Sequence, residues 1–242
     1  MQMLPITVIG MLEKPRVHSV DTFVHTYRLQ HVDAVVPSTK TLYNYIHQGL
    51  LEIKVIDLPR AVRIRKKFNK RPSTKKHLGK SIEERPEEIN NRSRFGDWEI
   101  DSVLDGKTIG EPSILTLVER QTRYAVTKKL VEKKAEYVNQ AVLECMKLYP
   151  IKSITADNGN EFSSLSKIEG LDVYFAHAYS SYERGTNENF NGLLREFIPK
   201  GSSLKKLNPT LLEDYTKAIN ERPRRIHGYQ SAKKLFELTQ TA

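Results

Sequence analysis

The period of the apolar positions changes near residue 95. Before it, hydrophobic side chains recur at helical spacing; after it, short apolar runs are separated by turn residues. In the front part Phe23, Val24 and Tyr27, with Leu29, fall near helical spacing, and Asp21 can cap that segment. A VPSTK turn leads into residues 39–48, where Pro37 and Ser38 make a helix start and Gly49 a stop. Leu42, Tyr45 and Ile46 share one face of this second helix, while Thr39, Lys40, Tyr43, Asn44 and His47 point elsewhere. Such a division suits the recognition helix of a helix-turn-helix, and it equally suits a small helical bundle with a polar outer face.

Beyond residue 95, runs at 98–104, 113–119 and 124–130 predict an antiparallel meander. Residues 133–148 carry Ala135, Val138, Ala141, Val142, Cys145 and Met146 at helical spacing, closed by Pro150. Apolar runs at 151–156 and 173–176 and a helix over 186–197 complete an α/β pattern, a mixed central sheet with flanking helices. The expected division is a helical segment over 1–57, a linker over 58–94 and an α/β domain over 95–242.

Composition narrows the class. With 242 residues, 38% of them hydrophobic, the chain can bury one sizeable core or two modest ones, which excludes disorder throughout. No run approaches the ~18 apolar residues of a membrane span, and the opening residues are too mixed for a secretion signal, so a cytoplasmic protein is expected. One cysteine, Cys145, excludes an internal disulfide and reads as core. The net charge of +10 implies an anionic partner. Its distribution is uneven: between Arg60 and Lys80 there are ten basic residues and no acidic one, among them Arg63, Arg65, Lys66, Lys67, Lys70 and Arg71. That stretch is a solvated linker or a clamp on a nucleic-acid backbone, and the single sign favours the clamp.

Three carboxylates stand out. Asp101 interrupts the apolar run WEIDSVL, where a buried charge needs a partner. Asp157 ends the run ITAD and opens a turn with Asn158 and Gly159; Glu188 lies near the start of a helix. Singly, these residues suit an Asx-turn and a helix-dipole contact. Together, two strand-borne aspartates and a helix-borne glutamate can form a hard-oxygen site for Mg²⁺ or Mn²⁺. Glu161 can contribute to the site, although a residue there is more often just exposed, and Asn158 and Gly159 let this loop turn tightly.

At these positions the chain resembles a known family. WEIDSVLDGK, TADNGNEF and YERGTNENFNGLLREFIPKG resemble the core of DDE transposases and retroviral-type integrases, and most closely the IS-thirty family of bacterial insertion-sequence transposases. NERPRRIHGYQSAKKLF resembles that family's closing motif, so the likeness runs over residues 95–236. The resemblance implies a ribonuclease-H-like fold with a mixed five-stranded sheet, and a catalytic and metal-binding triad of Asp101, Asp157 and Glu188 with two Mg²⁺ or Mn²⁺ ions. It implies a polynucleotidyl transferase that cleaves and joins DNA strands, with terminal inverted repeats and target DNA as partners and a homo-oligomer to pair two ends. Arg184 and Arg195 are expected to face DNA, as are Thr39, Lys40 and Asn44 in the front part; Asn187 and Asn191 are expected to touch DNA phosphate or to position Glu188, with helix capping an equal claim for Asn187. The chain starts almost directly at what resembles the family's second DNA-binding segment, so a shortened reading frame is expected. A catalytically silent DNA-binding descendant and a nuclease without strand transfer stay open as alternatives.

Overall fold

Two helices open the described part of the chain, α1 (Val20–Gln30) and α2 (Thr39–His47). The computed structural model describes residues 19–55, 58, 78–103, 111–177 and 180–241, so Arg63, Arg65, Lys66, Lys67, Lys70 and Arg71 lie outside the described residues. Ser19, not Asp21, caps α1, its hydroxyl accepting the Thr22 N–H; Ser38 caps α2 through the Thr41 N–H. Val20, Phe23, Val24 and Tyr27 of α1 close on Leu42 and Ile46 of α2 in one small core. Asp21 is thereby left for longer-range partners, accepting from the Thr39 hydroxyl at 3.2 Å and the Tyr229 hydroxyl at 3.1 Å.

The main sheet has six strands: β1 (Lys80–Ser81), β2 (Asp97–Val103), β3 (Ser113–Glu119), β4 (Ala125–Leu130), β5 (Ser153–Ala156) and β6 (Asp172–Phe175). Their order across the sheet is β1-β6-β5-β2-β3-β4. β2, β3 and β4 form the expected antiparallel meander, while β5 pairs parallel with β2 and with β6. These five strands, with helices on both faces, make the expected mixed sheet with flanking helices. The sixth strand corrects the expected count of five. It comes from residues read as the end of the linker: Lys80 and Ser81 pair with β6, and Ile82 and Ile89, the latter in the short helix α3 (Glu87–Asn90), are buried.

Alternation along the strands decides what each face covers. Trp98, Ile100, Leu115, Leu117, Ile154 and Ala156 point to one side and pack on Val138, Val142 and Cys145 of α4 (Ala135–Leu148). The Cys145 thiol is buried there, and burial pushes its pKa up. On the other side Val103, Ile114 and Val118 meet Phe190 and Leu194 of α5 (Gly185–Leu194), and Leu212 and Ile219 of α6 (Pro209–Glu221). Each such buried side chain contributes about 2 kcal/mol relative to exposure. A hairpin of β7 (Pro223–Arg224) and β8 (Gln230–Ser231) precedes α7 (Ala232–Gln240), whose Phe236 returns to the α4 side of the core. Tyr229 in this hairpin stacks on His25 of α1 with ring centroids 3.7 Å apart. Among the described residues no helix is long and apolar enough to cross a membrane.

Candidate active site

On β2, Trp98 and Ile100 face α4, so Glu99, Asp101 and Val103 face α5. In the parallel β2–β5 ladder Glu99 stands opposite Thr155, and continuing that register by two residues sets Asp157, just past the end of β5, beside Asp101. The side chains agree with the register. One guanidinium, that of Arg184, reaches both carboxylates: Nη1 lies 3.3 Å from Asp101 Oδ1, and Nη2 donates to Asp157 Oδ2 at 3.3 Å. Asp101 also accepts from the Ser102 N–H at 2.9 Å and from the Asn191 amide at 2.8 Å. Asp157 accepts from the Gly159 N–H at 2.8 Å, the Asx-turn contact expected of it. Burial pushes the Asp101 carboxyl above its ordinary range; Arg184 opposes that shift and Asp157 reinforces it.

Glu188 is exposed in the first turn of α5. Asn191, three residues on and hence on the same helical face, is the residue bonded to Asp101, so Glu188 stands about one turn from the aspartate pair. Among the described residues no three acidic, histidine or cysteine side chains converge closely enough to hold one ion. The structure thus brings two of the three expected carboxylates together and leaves the third at the rim. A pair of hard-oxygen anions facing a shared positive group is the donor chemistry that a Mg²⁺-class ion takes. The donor set at the two aspartates fits such an ion.

Several expected roles are corrected. Arg184 does not point outward to DNA; it is buried, and its Nη1 also donates to the Ile100 carbonyl. Asn187 is buried and makes no outward contact. Its N–H donates to Glu99 Oε2, its amide donates to the Glu99 and Thr116 carbonyls, and its Oδ1 accepts from the Thr116 hydroxyl. It fastens α5 to the sheet. Arg195 is half-buried at the end of α5, with Nη1 donating to the Ile198 carbonyl. Thr39 is half-buried and spends its hydroxyl on Asp21, whereas Lys40 and Asn44 are exposed. Glu161, expected at the surface, is buried. Gly159 has φ −70, so the turn does not need its conformational freedom; what it needs is the missing Cβ, which would stand 2.5 Å from Glu161 Oε2 and 2.8 Å from Asp157 Oδ1.

Sequence reasoning also missed Glu99. It is buried beside Arg120, which pairs with it and donates to the Ile89 carbonyl. Its alternation with Asp101 in WEID is a signal that places both on the α5 face. Close to the site, His177 holds the turn Ser181–Arg184: its N–H donates to Glu183 Oε2, and Nδ1 lies 2.8 Å from Glu183 Oε1. The Glu183 contact raises the His177 pKa.

No protein-family model matches the chain. A probable transposase for insertion-like sequence element IS1161 of Streptococcus salivarius is 97% identical over 233 residues, which are 96% of this chain and 68% of that protein. The transposase for insertion sequence element IS4351 of Bacteroides fragilis is 37% identical over 161 residues, 64% of this chain and 49% of that protein. Transposase InsI for insertion sequence element IS30A of Escherichia coli (strain K12) is 35% identical over 165 residues, 66% of this chain and 42% of that protein. The chain therefore spans about half or less of the length of the last two. Among solved structures, the catalytic core domain of BIV integrase superposes with a TM-score of 0.46 at 16% identity, covering 60% of this chain and 96% of that one.

Proposed function

The chain belongs to the IS30 family of insertion-sequence transposases, and we propose that its α/β domain, residues 95–242, cuts and joins DNA strands with two divalent ions, Mg²⁺ or Mn²⁺, held by Asp101, Asp157 and Glu188. The observation that carries this reading is the meeting of Asp101 and Asp157 on one guanidinium, with the helix of Glu188 tied to Asp101 through Asn191. Ions bound there supply an activated oxygen nucleophile and offset the charge that develops on the leaving oxygen.

The chain's own residues supply placement. Ser102 N–H and Asn191 fix the Asp101 carboxylate, Gly159 N–H fixes that of Asp157, and Asn187 holds the helix that carries Glu188. Arg184 offsets part of the charge of the aspartate pair and holds the two carboxylates side by side. Water attacks a phosphodiester at the element's end, expelling the 3′-oxygen as a free hydroxyl, and that hydroxyl then attacks a target phosphodiester in line, forming the new P–O bond as the target strand's own 3′-oxygen leaves; both are displacements whose rate depends on alignment. No covalent enzyme intermediate is required. The front helices present Lys40 and Asn44, and the basic stretch with Arg63, Arg65, Lys66, Lys67, Lys70 and Arg71 supplies phosphate contacts. The partners in this reading are double-stranded DNA of terminal inverted repeats and target, and further copies of the chain that pair two ends.

The test is a nicking and joining assay. Purified protein with Mg²⁺ and a duplex carrying the element's end sequence should nick or join strands, and Asp157→Asn should do neither. An Asp157→Asn variant as active as the parent would contradict the assignment.

A further inference from the structure

Glu161 is the carboxylate next to the aspartate pair to which the reading above gives no role. The buried Phe162 anchors its turn, Asn160–Phe162, in the core cluster that contains α4. Its Oε1 accepts from the Ser102 hydroxyl at 2.8 Å, and the N–H of that same serine holds Asp101 Oδ1 at 2.9 Å. Its Oε2 and Asp157 Oδ1 crowd the same side of Gly159, both within 2.8 Å of where a Cβ would stand. Glu161 therefore touches the supports of both aspartates. A third buried-side anion beside two others is strongly unfavourable without a counter-charge. Lys133, just before α4, provides one, its Nζ 2.7 Å from Glu161 Oε1. Lys133 itself keeps about a third of its side chain in solvent, at 34% exposure, so the pair joins the inner site to the surface.

We propose that Glu161 is a positioning residue for Asp101 and Asp157, and that Lys133, as its counter-charge, sets how much additional negative field the ions at those aspartates experience. This rests on the reading of the two aspartates as ion ligands. Glu161 acts through Ser102 and through the Gly159 turn. With Lys133 in place, its net charge contribution is close to neutral. Removing either partner alone unbalances the site, in opposite directions.

The test is a Mn²⁺ titration of the full chain, with free Mn²⁺ read by electron paramagnetic resonance. Glu161→Gln keeps an acceptor for Ser102 but leaves the lysine cation unpaired, and should weaken Mn²⁺ binding by about tenfold, the lower end for a residue that supports metal ligands. Lys133→Met should strengthen binding, and the double variant should return toward the parent. A purely structural role would not give opposite signs that cancel. Parental affinity in Glu161→Gln, or unchanged or weaker binding in Lys133→Met, overturns the proposal; if Glu161→Gln fails to fold, Lys133→Met decides alone. Asp157→Asn in the same titration separates the two levels. If it binds Mn²⁺ like the parent, the reading of the aspartates fails; if it loses binding while Glu161→Gln does not, only the role of Glu161 fails.

Discussion

Asn187 and Gly159 have roles visible only in three dimensions, and each carries a prediction. Replacing Asn187 by alanine leaves the Thr116 hydroxyl and two buried carbonyls without their amide partner. The variant should lose roughly 3 kcal/mol of stability in denaturant unfolding, since each orphaned buried group costs about 1–3 kcal/mol. A loss below about 0.5 kcal/mol would remove it from the role of fastening α5. Gly159→Ala drives a methyl against Glu161 and Asp157. It should cut Mg²⁺-dependent DNA cleavage on the order of a hundredfold while the fold's circular dichroism is retained, because misplacing reacting groups by about 1 Å costs that much. That Asp101 needs a partner was legible from its place in an apolar run, whereas its grouping with Asp157 came from the family resemblance; the structure sets both on Arg184. The roles of Asn187 and Glu161 were not legible, since a polar residue near a helix start or in a turn reads as a cap or as surface. Only the packed sheet reveals that Glu99 and Thr116 stand beneath the first, and Ser102 and Lys133 beside the second.

At the level of elements, the strands and long helices followed directly from period. The meander matched to within a residue at its ends, since a core on each face demands the near-continuous apolar runs that β2, β3 and β4 bury. Residues 80–94 were misread because two isoleucines in a charged run carry too weak a periodic signal, although both are buried. The turn Ser181–Arg184 matters because it delivers Arg184 to the aspartates and leads into α5. Its pH dependence follows from His177, whose pKa is raised above its ordinary 6.5 by Glu183. The stabilising contribution is therefore complete below about 6.5 and is lost as pH rises through the raised folded-state value. Amide exchange over residues 181–184, corrected for intrinsic rates, should show less protection at about pH 8 than at about pH 6, and His177→Gln should remove that difference. Equal protection at both values in the parent would contradict it.

For the whole molecule, basic charge is concentrated ahead of the α/β domain: ten basic residues between Arg60 and Lys80 within a net +10. If that stretch meets phosphates, DNA affinity should fall steeply with salt. Replacing Arg63, Arg65, Lys66 and Lys67 by glutamine should then flatten the slope of log affinity against log salt by roughly 3–4, with little change in cleavage at saturating DNA. An unchanged slope would assign the stretch to spacing alone. The front helices are joined to the far end of the chain by the Tyr229 contacts to Asp21 and His25, a link that no local sequence pattern announces because some 200 residues separate the partners. Family and fold were legible in the motifs; the positions of Arg184 and Glu188 relative to the aspartates depend on how α5 packs. The most direct measurement is Mg²⁺-dependent cleavage of an end-sequence duplex by Asp101→Asn, Asp157→Asn and Glu188→Gln, each verified as folded. The account predicts that each falls on the order of a thousandfold or more, as members of one catalytic unit do. Parental cleavage by Glu188→Gln, or by either aspartate variant, would contradict it.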